Sequence, residues 1–104
     1  MKLSGHTGTV KLYAGVCVLR LHAPWVHSLK EKRMLVKSLL SRVKNKFNLS
    51  AAEVSDMDLH QTVVLGLSCV SGDFSVAESM LQAAAAWIES NTDAEVTETI
   101  TEIF

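Results

Sequence analysis

The sequence predicts an α+β domain in which one antiparallel sheet of four strands carries two helices on a single face. Strand-like and helix-like segments follow one another in the order β-α-β-β-α-β, which is the split βαβ repeat of the ferredoxin-like plait. The chain has 104 residues, of which 48% are hydrophobic, and this suffices for one buried core but not for two. We therefore expect residues 12–104 to form a single domain. Residues 1–11 contain two glycines and no apolar periodicity, which predicts a flexible leader.

The first half of the chain predicts one strand and one helix. Apolar residues occupy both alternations from Leu12 to Leu21, as in a central strand that is buried on both faces. A loop follows, because Pro24 breaks strand pairing. The helix is expected to begin at Ser28, which stands three residues before Glu31 in capping-box spacing, and to end at Asn48. Its predicted apolar stripe consists of Leu29, Val36, Leu40, Val43 and Phe47.

The second half of the chain predicts two strands, a helix and a last strand. A short strand over 49–54 and an apolar strand over 62–71 are joined by a polar turn. Ser75 and Glu78 again stand in capping-box spacing and predict the start of the second helix. That helix has an apolar stripe made of Ala77, Met80, Leu81, Ala84 and Ile88. Residues 96–104 alternate between apolar and polar side chains, which is typical of a half-exposed edge strand.

The overall composition excludes several classes of function. Ten basic and eleven acidic side chains give a net charge of −1, which argues against a protein whose whole surface binds nucleic acid or membrane. No segment approaches the roughly 18 uncharged apolar residues of a membrane span. Cys17 and Cys69 are too few for a disulfide framework or a zinc quartet, so we expect a cytoplasmic protein.

The charge is distributed unevenly along the chain. Residues 28–47 carry a net charge of +6, whereas residues 73–104 carry −7 and no basic side chain. At about 100° per residue, four cations of the first helix fall on one flank of its apolar stripe, in a line about 20 Å long. We call this line the basic ridge, and it consists of Lys30, Arg33, Lys37 and Lys44. Such a line suits a phosphate backbone, whose binding releases counterions.

Three interpretations of the basic ridge are open: a nucleic-acid contact, a solvated helix face, or a surface that the acidic C-terminal segment neutralises. On the first, the residues expected to contact nucleic acid are Trp25, Lys30, Lys32, Arg33, Lys37, Arg42 and Lys44. Trp25 is included because an exposed aromatic ring beside cations can stack on a base. Equally, Trp25 can cover the end of the core as a lid.

One face of the predicted sheet is mostly apolar and is not covered by the helices. Helices cover only one side of such a sheet, yet both alternations of 12–21 and 63–70 are mostly apolar. A contiguous exposed apolar patch marks an interface, so we expect a homodimer formed through the uncovered sheet face. The same strands offer one aromatic residue, Tyr13, and therefore lack the aromatic signature with which the RNA-recognition fold of this topology stacks on bases.

No motif predicts catalysis or a cofactor. The histidines show no HExxH spacing and no CxxC partner; they are His6, His22, His27 and His60. Five residues of strand separate Cys17 from His22, which is too far for a Cys–His nucleophile pair. Neither the Walker nor the Rossmann glycine spacing occurs. We expect no enzymatic activity, no cofactor and no metal.

Several short segments follow a pattern shared with a known family. The most specific is Ser-Leu-Lys-Glu-Lys-Arg at residues 28–33, directly after a strand and a loop. The full set is 15–18, 28–33, 42–48, 52–54, 58–61 and 65–66. In these segments the chain resembles the YlxP-like family of small bacterial proteins, a domain family of unknown function, over about residues 13–104. The resemblance implies a ferredoxin-like fold and a cytoplasmic protein that is often encoded beside translation-initiation and ribosome-maturation factors. It transfers no catalytic residue.

We therefore expect a non-enzymatic module that binds structured or ribosomal RNA through the basic ridge. The alternative is a homodimeric protein-interaction module, whose basic helix docks an acidic partner or its own acidic edge without nucleic acid. Charge reversal on the ridge separates them, because it removes RNA binding in the first case and disturbs assembly in the second.

Overall fold

The computed structural model describes residues 10–104, and its elements follow in the predicted order β-α-β-β-α-β. The strands are β1 (Tyr13–His22), β2 (Ser50–Ser55), β3 (Thr62–Ser71) and β4 (Glu95–Ile103), and the helices are α1 (Leu29–Lys46) and α2 (Phe74–Ser90). The predicted leader lies outside the described residues, apart from its last two positions. No helix of the described chain is both long and apolar enough to cross a membrane.

The four strands form one antiparallel sheet in the order β2-β3-β1-β4, which confirms the predicted ferredoxin-like plait. β1 pairs with β3 without interruption, from Tyr13 opposite Ser71 to His22 opposite Thr62. The two outer pairings each contain one irregularity, near Val54 in β2 and between Arg20 and β4. β2 and β4 are therefore the two edges of the sheet.

The core lies between the helices and one face of the sheet. Alternate residues of the central strands are buried there: Cys17, Leu19 and Leu21 from β1, and Val63, Leu65 and Leu67 from β3. The helices contribute Val36, Leu39, Val43, Ala77, Leu81, Ala84 and Ile88. Close approach of α2 requires a glycine in β1, since a Cβ at Gly15 would lie 2.6 Å from Leu81 Cδ1. Within residues 10–104 the opposite face carries no helix. The prediction that the first strand is buried on both faces was therefore wrong, because β1 is central in the sheet but is covered on one side only.

Helix caps explain where the helices begin. Ser28 caps α1 as predicted, and its hydroxyl accepts a hydrogen bond from the Glu31 amide at 3.1 Å. The prediction for α2 was wrong, because Asp73 and not Ser75 is the cap. The Asp73 carboxylate accepts hydrogen bonds from the amides of Ser75 at 2.8 Å and Val76 at 3.4 Å. A hydrogen bond from the Ser75 hydroxyl makes the largest contribution to lowering the pKa of Asp73, and the two amide bonds lower it further.

The two helices divide the sheet between them. α1 packs over the edge strand β2, whereas α2 packs over β1, β3 and β4. The helix with the basic residues therefore lies above one edge of the sheet, and most of the acidic C-terminal segment lies towards the other edge.

Candidate nucleic-acid interface

The basic ridge borders a groove between α1 and β2. Three of its members, Arg33, Lys37 and Lys44, line this groove, and Lys30 continues the same flank one turn earlier. The volume of the groove is about 480 Å³, and its other lining residues are Val36, Leu40, Ser41, Asn45 and Glu53. We call this feature the basic groove. It combines a cationic wall with an apolar floor at the open edge of the sheet.

The four ridge cations have no acidic partner among residues 10–104. Within residues 10–104, only Arg20 and Lys32 form ion pairs shorter than 4.0 Å. From the acidic segment 73–104, one carboxylate takes part in such a pair, and it is Glu98 at 3.8 Å from Arg20. The acidic segment thus neutralises no ridge cation by direct pairing, and the ridge keeps its full charge towards solvent.

Lys32 corrects the sequence prediction, because it is a buried residue and not a surface cation. Its side chain is 1% exposed. The buried stripe of α1 runs through Lys32, Val36, Leu39 and Val43, displaced by about 50° from the predicted stripe through Leu29 and Phe47. Position 32 lies four residues before Val36 and seven residues before Leu39, and both are buried. This spacing places position 32 on the buried face of the helix, which a count of charges does not show. Lys32 is therefore not available to a phosphate.

Three oxygen atoms surround the buried ammonium group. Lys32 Nζ donates hydrogen bonds to the carbonyl oxygens of Asp56 at 2.6 Å and Leu59 at 2.7 Å. It also lies 2.9 Å from Glu53 Oε2. That contact is an ion pair without hydrogen-bond geometry, since Oε2 is buried and accepts no hydrogen bond from the described residues. Lys32 thereby joins α1 to β2 and to the turn that follows it.

The turn between β2 and β3 is held from both faces of the sheet. Asp56 has a φ of 54°, an uncommon backbone conformation for a residue other than glycine. Lys32 holds its carbonyl from the helix side, while Arg20 donates a hydrogen bond to its Oδ2 at 2.8 Å from the other side. Arg20 and Asp56 flank β3 at Val64, which is 3% exposed although it lies on the helix-free face. The ion pair passes over this valine and accounts for its burial.

Arg42 also lies away from the basic groove. It occupies the opposite flank of α1, where its guanidinium carbon lies 5.5 Å from the centre of the Trp87 ring in α2. Lys46 shares that flank and lies 6.0 Å from the ring of Phe47. The structure therefore does not bring Arg42 together with the ridge cations, and the predicted set divides into two flanks.

Trp25 lies in the loop between β1 and α1 and is 43% exposed. The loop is fixed by Gln61, whose amide donates hydrogen bonds to the carbonyls of Pro24 at 2.9 Å and Val26 at 3.2 Å. The side chain that covers the end of the core is Val26, at 1% exposure. Trp25 is thus free to make a further contact, but it does not line the basic groove.

The remaining candidate groups form no reactive arrangement within residues 10–104. Three or more metal-ligating side chains do not cluster anywhere in this part of the chain. His27 and His60 line a shallow depression together with Asp58. Cys17 and Cys69 are free and buried, and desolvation raises the pKa of both thiols, which makes them weak nucleophiles.

Two comparisons with known proteins agree with the resemblance seen in the sequence. The family model described as "Protein of unknown function (DUF503)" matches residues 14–101. The uncharacterized protein YlxP of Bacillus subtilis (strain 168) is 43% identical over 77 residues, which cover 74% of this chain and 84% of that protein. The chain belongs to DUF503, the YlxP-like family of proteins of unknown function.

Proposed function

We propose that this protein is a non-catalytic RNA-binding module that holds an unpaired stretch of RNA in the basic groove. The observation that carries the proposal is the row of four exposed cations without carboxylate partners, about 20 Å long, beside an open groove. Exposed lysines and arginines are normally interspersed with acidic side chains, whereas this flank leaves its charge unbalanced. A polyanion is the ligand that such a row attracts most strongly.

The groove favours a single strand over a duplex. A duplex presents mainly phosphates and sugars to a protein, whereas an unpaired strand also offers the faces and edges of its bases. Val36 and Leu40 form an apolar floor for base faces. The outer backbone groups of the edge strand β2, which no other strand of the described chain pairs, can bond to base edges. Phosphates then contact the ridge while bases turn towards the floor.

A salt titration tests the electrostatic part of the proposal. Fluorescence anisotropy of a labelled single-stranded ribosomal RNA fragment, and of the same fragment in a duplex, is measured at several salt concentrations. With four phosphate contacts, log affinity for the single strand is expected to fall against log salt with a slope of about −3. We expect the single strand to bind more tightly than the duplex. Absence of binding at about 50 mM salt, or a flat salt response, contradicts the proposal.

A matched pair of variants tests the location. Arg33→Glu/Lys37→Glu reverses two cations of the groove, and Arg42→Glu/Lys46→Glu reverses one arginine and one lysine on the opposite flank of the same helix. Both variants have the same net charge, so a general electrostatic effect changes their RNA affinities equally. We expect at least a tenfold loss for the groove variant and a much smaller loss for its control. Equal losses contradict binding in the groove, and circular dichroism confirms that both variants fold.

A further inference from the structure

The face of the sheet that carries no helix within residues 10–104 exposes an apolar side chain on each of its four strands, beside charged residues that include Arg20, Glu98 and Glu102. We call it the open face. Its exposed apolar side chains come from each strand in turn, and they are Val16 at 38%, Val54 at 48%, Val70 at 67% and Ile100 at 48% exposure. Phe104, directly after β4, adds a side chain with 69% exposure. The largest exposed apolar patch of a protein often serves an interaction.

Small and large side chains of the open face are segregated. One row across the sheet reads Ala52, Gly66, Val18 and Ile100 from β2 to β4, because these residues are direct partners in the ladder. The next row reads Ser50, Ser68, Val16 and Glu102 in the same order. In both rows, β2 and β3 contribute small residues, whereas β1 and β4 contribute larger ones; the position of Gly66 is covered by the side chain of Val54. A depression of about 260 Å³ lies over the small half, between Val16 and Val54.

We propose that the open face is covered by the open face of a second copy of this chain. In this dimer, a two-fold axis runs parallel to the strands, between the two sheets and level with the gap between β3 and β1. The axis packs the first row of one copy against the first row of the other copy, with the order of the strands reversed. Ile100 then faces Ala52 of the partner subunit. The same axis lays Val16 over Ser68 of the partner subunit. Large residues meet small ones at each of these positions, so the two faces interlock at the usual separation of about 10 Å between packed sheets.

The size of the face fits a reversible dimer. Four strands about 4.8 Å apart, over seven residues of β1, present on the order of 500 Å² per partner. Stable interfaces of standard size bury about 800 Å² per partner, so this contact is at the weak end of specific association. The open face lies opposite the helices and includes no ridge residue, so the inference does not depend on RNA binding.

The experiment measures the mass of the protein against concentration. In sedimentation equilibrium, the average mass of the wild-type protein is expected to rise from 11.4 kDa towards twice that value as the protein concentration increases. The range from about 1 to about 200 µM covers the micromolar concentrations at which we expect weak specific association. A wild-type protein that keeps the mass of one chain over this whole range contradicts the proposal.

Two substitutions of equally exposed residues locate the contact. Ile100→Lys places an ammonium group in the proposed interface, whereas Val76→Lys places one on α2, where the side chain is also 48% exposed. We expect Ile100→Lys to remain a monomer and Val76→Lys to associate like the wild type. Equal behaviour of the two variants contradicts an interface on the open face.

A size exchange tests the two-fold arrangement itself. Ile100→Ala removes a large side chain, and Ala52→Ile fills the position that faces it, so each single variant is expected to weaken the dimer at least tenfold. The double variant restores one large and one small residue at each contact and is expected to regain association close to that of the wild type. A double variant that associates no better than the singles contradicts this pairing of the rows. All four proteins are checked for folding by circular dichroism.

Discussion

The two edges of the sheet differ in length, charge and cover. β4 runs over nine residues, and its exposed acidic side chains are Glu95, Glu98 and Glu102. β2 has six residues, and its one acidic side chain, Glu53, turns inward towards Lys32. Charged side chains along an exposed edge prevent pairing with another chain. The β4 edge is therefore protected from such pairing by its own charge. The β2 edge is short, and it lies beside a cationic groove whose charge favours a polyanion.

The largest expected effect concerns the attachment of β2 to α1. Lys32→Met leaves the inward carboxylate of Glu53 without its cation, and we expect a loss of about 3–5 kcal/mol in the free energy of unfolding. Urea unfolding measures it. Lys37→Met changes the same residue type on the exposed flank of the same helix and is expected to stay within about 0.5 kcal/mol of the wild type. Similar midpoints for both variants contradict the structural role of Lys32.

The double variant Lys32→Met/Glu53→Met separates charge pairing from packing. Replacing both members of a buried pair by apolar residues of similar volume is often neutral, so most of the lost stability should return. If the double variant is as unstable as Lys32→Met, the two carbonyl bonds to the Asp56–Leu59 turn contribute the larger part.

The next effect concerns RNA at the β2 edge. Lys37→Gln removes one of the proposed phosphate contacts, and we expect the RNA affinity to fall several-fold while the salt slope becomes shallower by about 0.7. Anisotropy titrations at several salt concentrations measure both. An unchanged slope with reduced affinity indicates that Lys37 acts on the shape of the groove and not through a phosphate.

A smaller effect is expected at the β4 edge. Glu95→Gln/Glu102→Gln removes two negative charges that are distant from the basic groove. We expect RNA affinity to remain within about twofold of the wild type and the salt slope to stay the same, because the number of phosphate contacts is unaltered. A large gain in affinity contradicts the separation of the two edges, since it shows that the acidic edge opposes RNA at the groove.

The smallest effect concerns the cap of α2, on the β4 side of the molecule. Hydrogen bonds from Ser75 and Val76 lower the pKa of Asp73, so the folded state favours its ionised form. This contribution is present above the unfolded pKa of about 3.9, and it disappears as the pH falls through the lower folded pKa. Asp73→Asn keeps a capping oxygen without a titrating group. Thermal melts through this acidic range are expected to show a slightly shallower pH dependence for the variant.

The basic ridge could be predicted from the sequence because helical spacing alone determines which side chains share a flank. Lys32 could not be separated from its neighbours by charge, since its long stem and three oxygen partners become apparent only when α1 packs on β2. Glu53 is distant from Lys32 in the chain, and no local sequence pattern predicts that these two side chains form an ion pair. The cap of α2 was misplaced because Asp73 and Ser75 are both good caps, and the carboxylate accepts the two amide bonds.

The two-layer architecture of the domain determines how many basic grooves a dimer presents to RNA. The helices occupy one side of the sheet and the open face occupies the other, so a dimer joined through its open faces carries two basic grooves on its outer layers. If both proposals hold, an RNA with two unpaired stretches that reach both grooves binds the second one intramolecularly. Its apparent affinity can exceed that of one groove by about 10²–10⁴-fold, whereas an RNA too short to span both gains nothing. The length between binding stretches, as much as their sequence, then determines which RNAs the dimer retains.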